Sequence, residues 1–213
     1  MIVEERLLTY INSLGTGNTD FLNRLEKEAL DTFVPIIRKD MQQFLKLMVQ
    51  IKRPNRILEV GTAIGFSTIL MAEYNPIPCE IVTIENYEKR IPIAKENFQK
   101  AGISDNVTLL EGDASDLLPT ITQPFDFIFM DAAKGQYIVW LEELLRLLKP
   151  QGILISDNVL QDGDIIQSKY AVTRRNRTIH KRMRDYLYQV THHEALETCV
   201  MPVGDGITVS VKK

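Results

Sequence analysis

A chain of 213 residues that is 45% hydrophobic and 25% charged fits one α/β domain with a substantial core. Its formal net charge of −3 excludes a generally basic nucleic-acid binder, so any anion-binding surface must be local. Only Cys79 and Cys199 are present, which excludes a disulfide framework and fits a reduced, cytoplasmic setting.

The opening stretch MIVEERLLTYINSL has acids early and apolar residues at helical spacing, unlike a signal peptide, and no window approaches the roughly 20 apolar residues of a membrane span. Residues 1–52 read as a helical cap. Leu7, Leu8, Ile11 and Leu14 share one face, as do Phe21, Leu22, Leu25 and Ala29. Pro35 is placed at the first position of a third helix carrying Ile36, Ile37, Met41, Phe44, Leu45 and Met48. All three helices are expected to cap the sheet that follows.

Residues 53–213 read as the α/β core of the same single domain. Strands are expected at 57–60, 80–84, 107–110, 125–130 and 153–156, separated by helices, which implies right-handed βαβ units and a parallel sheet. Gly102 is placed just past the end of the helix after the second strand. Two further strand-like runs, 195–201 and 207–211, are joined by Gly204-Asp205-Gly206, a hairpin signal. The expected fold is Rossmann-like: a seven-stranded, mostly parallel sheet of the class I S-adenosylmethionine methyltransferase type, with an antiparallel C-terminal hairpin and N-terminal helices.

The turn Glu59-Val60-Gly61-Thr62-Ala63-Ile64-Gly65-Phe66-Ser67 leaves the first strand and opens a helix. Gly61 permits a tight turn with close backbone approach, and Gly65 lets the helix pack on the strand. Glu85, 24 residues after Gly61, ends the second strand where a carboxylate can accept from both ribose hydroxyls. Ala63 occupies the position of the middle glycine of a dinucleotide fingerprint and hinders approach to a pyrophosphate. Glu59 repels phosphate but suits an amino group. Together they favour S-adenosylmethionine, with NAD the weaker alternative, and Gly112-Asp113-Ala114 is placed to meet the adenine.

Asp131, Asp157 and Asn158 follow buried strand runs and so fall at adjacent strand ends, where open α/β sheets bind ligands. Three oxygen-bearing side chains with Lys134 beside them point to a hard divalent cation and proton chemistry. Alone, these residues could equally be helix caps and a surface lysine. His180, His192 and His193 have no partners at zinc spacing. Trp140 reads as core or subunit packing.

The residues Leu58–Ser67, Thr83-Ile84-Glu85, Asp131-Ala132-Ala133-Lys134 and Asp157-Asn158 together resemble the cation-dependent, catechol-type O-methyltransferases. Asp131–Tyr137, Asp157–Leu160 and Pro202–Gly206 are most similar to bacterial tRNA 5-hydroxyuridine methyltransferases, which form 5-methoxyuridine at the wobble position. The resemblance implies Mg²⁺ held by Asp131, Asp157 and Asn158, with Lys134 as the base. It also implies S-adenosylmethionine contacts from Ile37, Glu59, Gly61, Ser67, Glu85, Asp113, Ala114 and Asp131, and a homodimer. Between Lys169 and Arg184 the chain carries Arg174, Arg175, Arg177, Lys181 and Arg182 with no acid. Such a run is ordinarily a solvated face, but it follows the strand bearing Asp157, where substrate loops belong. It tilts the expected substrate toward tRNA, with a small catechol or other vicinal phenol as the alternative.

Overall fold

The computed structural model describes residues 2–168 and 170–213; Lys169, the first residue of the basic run, lies outside the described residues. Seven strands, β1 (Arg56–Val60), β2 (Glu80–Glu85), β3 (Val107–Glu111), β4 (Phe125–Met130), β5 (Leu148–Ser156), β6 (Leu196–Met201) and β7 (Ile207–Lys212), form one sheet in the order β3-β2-β1-β4-β5-β7-β6. The first five run parallel, and β7 pairs antiparallel with both β5 and β6. This is the seven-stranded class expected from the alternation of elements. The strand order reverses between β1 and β4, and at such a switch point the loops after the strands diverge and leave a crevice.

Both faces of the sheet are buried, and the period of two along each strand decides which side chain faces which layer. Ile57, Phe127, Phe129 and Ile155 pack against α2 (Asp20–Asp31), α3 (Lys39–Lys52), α4 (Phe66–Tyr74) and α5 (Ile91–Lys100). Leu58, Ile128, Met130 and Leu154 pack on the opposite side against α6 (Ala114–Leu117), α7 (Tyr137–Leu147) and α8 (Arg177–His192). Among the described residues, no helix is long and apolar enough to cross a membrane.

Three local expectations need revision. First, α3 begins at Lys39, not at Pro35, because the segment before it is held extended. Gln42 Nε2 donates to the Ile37 carbonyl at 3.0 Å, and Arg38, at φ −66° and ψ 160°, turns its side chain toward loops far along the chain. Second, α1 (Glu5–Ser13) has no buried residue, and Leu7, Tyr10, Ile11 and Leu14 stay exposed. Its apolar face does not cap the sheet, since α2 and α3 already cover that layer. Third, β5 starts at Leu148 rather than at 153. The register shift opposite Phe125 and Phe127 makes room for Pro150, which has no N–H to offer a ladder.

Gly102 follows α5 with φ +69°, as its position past the helix end requires. Gly65 plays a different part from the one expected. At φ +86° it precedes α4, and a Cβ there would lie 2.5 Å from Phe98 Cε1, so its missing side chain makes room for a ring of α5 rather than for the strand. The two glycines separate strain from crowding. Gly102→Ala, with open space around it, is expected to cost about 1 kcal/mol of stability, and Gly65→Ala roughly 2–4 kcal/mol, in urea unfolding. Equal losses would show that Phe98 yields freely.

Candidate active site

A cleft of about 550 Å³ opens over the carboxyl ends of β1, β2, β4 and β5. Its floor starts with the turn after β1. The Gly61 and Thr62 amides both donate to the Ile84 carbonyl, at 3.0 and 3.2 Å, and fold the turn back onto β2. Gly61, at φ +105°, lies so close to β4 that a Cβ would fall 2.1 Å from the Asp131 carbonyl oxygen. Ala63 sits in the left-handed region at φ +48° and donates its amide to Glu85 Oε2 at 2.7 Å. The other oxygen of Glu85 accepts from the amides of Asn86 and Tyr87, at 3.0 and 2.8 Å. The Glu85 carboxylate is therefore fixed by three backbone donors while lining the cleft.

Asp113 caps α6 through the Ser115 amide at 2.8 Å. Ser115 Oγ in turn accepts from the Trp140 indole at 3.0 Å, which places that ring in the cleft wall beside Ala114. Across the floor, Asn158, at φ +62°, turns its amide nitrogen to Asp131 Oδ1 at 2.7 Å, and its backbone N–H donates to Asp157 Oδ1 at 2.6 Å. Lys134, on the 3-10 turn Lys134–Gln136 that leads into α7, lines the same end.

Burial pushes the carboxyls of Asp131 and Asp157 above the ordinary range, and for Asp157 the neighbouring Asp131 charge adds to it. Lys134 and the Asn158 amide pull Asp131 back in part. The protein alone leaves this pair under-compensated, and a bound cation would reverse the balance. The donors fit a divalent ion of the hard type: two carboxylates and one amide whose oxygen can turn inward. Among the described residues no three His, Cys, Asp or Glu side chains group as a metal site, so this reading needs Asn158 as its third protein donor.

The sequence of residues 13–213 matches the family model described as O-methyltransferase.

The chain belongs to the O-methyltransferase family.

It is 34% identical over 163 residues to a catechol O-methyltransferase of Niastella koreensis, covering 74% of each chain. It is 31% identical over 183 residues to caffeoyl-CoA O-methyltransferase 1 of Eucalyptus globulus, covering 80% of this chain and 72% of the relative. Among solved structures, it superposes on a putative caffeoyl-CoA O-methyltransferase from Staphylococcus aureus with a TM-score of 0.87, 28% identity and 98% coverage of both chains. An O-methyltransferase from Bacillus cereus in complex with SAH gives a TM-score of 0.85 at 26% identity, covering 98% of this chain and 97% of that one.

In this O-methyltransferase, Ile37, Gly61, Ser67, Glu85, Asp113, Ala114, Asp131, Lys134, Asp157 and Asn158 all line the one cleft. Glu59 stands apart. It is fully buried beneath the turn, where Ser67 Oγ donates to Oε1 at 2.5 Å, Thr83 Oγ1 donates to Oε2 at 2.6 Å, and Thr68 donates to Oε2 as well. Its carboxylate holds Ser67 in place rather than facing the cleft. The basic residues Arg174, Arg175, Arg177, Lys181 and Arg182 do not line the cleft either. Arg182 donates to the carbonyl of Gly135, between the cleft residues Lys134 and Gln136, at 3.1 Å, while Lys181 pairs with Asp185 at 2.5 Å.

Arg38, which carries no sequence signal, lines the cleft, as do Trp140, expected in core or subunit packing, and Asp205, expected in the hairpin turn. Arg38 pairs with Asp205 at 2.5 Å and with Asp162 at 3.2 Å, tying three chain segments over one end of the cleft. Asp205 falls in the hairpin turn and in the Pro202–Gly206 motif, neither of which gives it a site role, and no local pattern marks an arginine at position 38 whose partners lie more than a hundred residues on. Trp140 lies on the helix face expected for packing, and packs there with its edge in the cleft.

Burial raises the Glu59 carboxyl from 4.5 to about 7, against the opposing pull of its three hydroxyl donors. The native state favours the protonated form, so this contribution to stability is complete below the ordinary carboxyl range and disappears as pH rises through about 7. Stability by urea unfolding should fall between pH 5 and 8, and Glu59→Gln should flatten that slope by up to about 3 kcal/mol across the interval. An unchanged slope would place the titration elsewhere.

Proposed function

We propose that this chain transfers a methyl group from S-adenosylmethionine to one hydroxyl of a small catechol-like or other vicinal phenolic substrate, with Mg²⁺ as the cation. The observation that carries this reading is the position of Asp131. Its backbone abuts the Gly61 turn and its carboxylate meets Asn158, so one residue belongs to both halves of the cleft. The relatives named catechol and caffeoyl-CoA O-methyltransferases support the substrate class, and the SAH-bound Bacillus cereus structure supports the cofactor. When bound, Mg²⁺ would acidify a substrate hydroxyl, and S-adenosylmethionine would supply an electrophilic methyl.

The chain's own residues do the rest. Glu85, pre-set by three amides, receives the ribose hydroxyls; Asp113 and Ala114 border the adenine, with Trp140 behind them; Ile37 covers the cofactor. Asp131, Asp157 and Asn158 would hold the cation, and Lys134 Nζ, in its neutral form, would accept the proton that leaves the substrate hydroxyl. Two unpaired cysteines support a reduced, cytoplasmic setting, and the uncovered apolar face of α1 supports a homodimer.

One observation favours a second substrate, 5-hydroxyuridine at the tRNA wobble position, whose 5-hydroxyl and 4-carbonyl are also vicinal oxygens. The basic segment adjoins the cleft rim through the Arg182 contact to Gly135, next to Lys134. Phosphate contacts from Arg174, Arg175 and Arg177 would then position the RNA.

Purified protein supplied with labelled S-adenosylmethionine is expected to label catechols in the presence of Mg²⁺ and to lose activity in EDTA. Labelling of methylation-deficient tRNA in place of catechols would select the second reading. In that case, neutralising Arg174, Arg175 and Arg177 should weaken tRNA binding and flatten its salt dependence. Lys134→Ala should lower turnover at least a hundredfold while changing cofactor affinity less than threefold. Unchanged turnover would remove Lys134 as the base.

A further inference from the structure

The β4–β5 ladder stops where the acid side chains begin. The last register pair is Met130 with Ser156, and the last ladder bond runs from the Asp157 amide to the Met130 carbonyl at 2.9 Å. One residue further, where the next rung would join the strands, the buried hydroxyl of Tyr137 stands between them. It accepts from the Ala132 amide at 3.3 Å and is placed to donate to the Asp157 carbonyl at 3.1 Å, the contact that crosses to β5, and to the Met130 carbonyl at 3.3 Å. These three backbone groups flank Asp131 on both sides and include Asp157 itself. A hydroxyl can accept and donate at once, so it can replace a direct N–H to C=O bond across a wider gap.

The ring that carries this hydroxyl is clamped. Tyr137 is completely buried, meets Tyr186 edge-on at 5.6 Å and 77°, and lies 6.5 Å from Trp140. It stands where the two acid-bearing strand ends have no further direct bond, since the β4–β5 ladder ends at the Asp157 amide and the Met130 carbonyl.

We propose that Tyr137 is a positioning residue for cation binding, its hydroxyl acting as a substitute rung that sets the separation of Asp131 and Asp157. The inference rests on the cation site proposed above. Tyr137→Phe keeps the packed ring and removes only the rung, leaving the Ala132 amide and the Asp157 carbonyl without it. The nearby Tyr186→Phe is the matched control, because the Tyr186 hydroxyl pairs with Ser156 Oγ at 2.5 Å and not with the backbone beside the acids.

The test measures Mn²⁺ binding by electron paramagnetic resonance on the full chain, with SAH binding followed by fluorescence of Trp140, the single tryptophan. Tyr137→Phe is expected to weaken Mn²⁺ about tenfold and to leave SAH affinity within twofold, while Tyr186→Phe changes neither by more than twofold. Placing 4-aminophenylalanine at position 137, which restores a donor, should recover most of the Mn²⁺ affinity. Wild-type-like Mn²⁺ binding by Tyr137→Phe overturns the inference and leaves the cation site standing. A wild-type chain that binds no Mn²⁺ overturns the cation site and the inference together. Equal loss of Mn²⁺ and SAH binding would reduce Tyr137 to a general packing role, which also overturns it. Should Tyr137→Phe not fold, hydrogen exchange of the wild-type Ala132 amide decides: protection supports the rung, and exchange at the rate of an open loop overturns it.

Discussion

The backbone contact between Gly61 and the Asp131 carbonyl is the constraint from which the rest of the site follows. It brings the end of β1 against the end of β4 more closely than any residue with a Cβ allows. The turn that receives a nucleoside and the strand end that carries the first acid thereby become one surface. Glu85 is tied to that turn through the Ala63 amide, and Asn158 is tied to Asp131, so adjacent short contacts span the sheet edge from β2 to β5. The positive φ of both Ala63 and Asn158 fits this view, since non-glycine residues persist in that region only where their surroundings hold them there.

Electrostatics then divides the acids by role. Glu59 lies in a sealed site among three hydroxyls, where burial raises its carboxyl to about 7 against their pull. Glu85 is held by three amides and faces the cleft. Asp131 and Asp157 crowd each other with one half-buried lysine nearby, an arrangement that asks for a further positive charge. Asp205 adds to that crowding and is itself pulled back by Arg38. The arginine thus neutralises one rim acid while joining the segment before α3, the loop around Asp162 and the β6–β7 turn. Asp40 reinforces the same junction by accepting the Gly204 amide at 2.7 Å.

Much of this was legible in the chain because its signals are local. Alternating apolar runs separated by helical periods specify βαβ units whatever the partners, and the five parallel strands and the closing hairpin follow. Glycines at 61 and 65 mark a turn, and acids directly after apolar strands mark a sheet edge. What escaped depends on partners distant in sequence. Arg38 matters through Asp162 and Asp205, Trp140 through Ser115, and Tyr137 through the ends of two strands. The helix start at Lys39 is another case, because Pro35 is a good first helical residue and only the tertiary pull on Ile37 and Arg38 keeps it outside.

Glu59 shows where the division falls. Its place just before the glycine turn is a matter of sequence, and so is its nearness to whatever the turn binds. Which way its carboxylate points is decided by strand parity and by the hydroxyls of Ser67, Thr68 and Thr83, the last of them from a neighbouring strand. Periodicity and turn chemistry act over a few residues, so the order of strands and helices, the edge of the sheet that carries the chemistry, and the residue types gathered there can be read along the chain. Which of those side chains share the cleft, which are sealed beneath it, and what holds them in register emerge from the folded chain. Those outcomes depend on burial and hydrogen bonds between segments that the chain order keeps far apart.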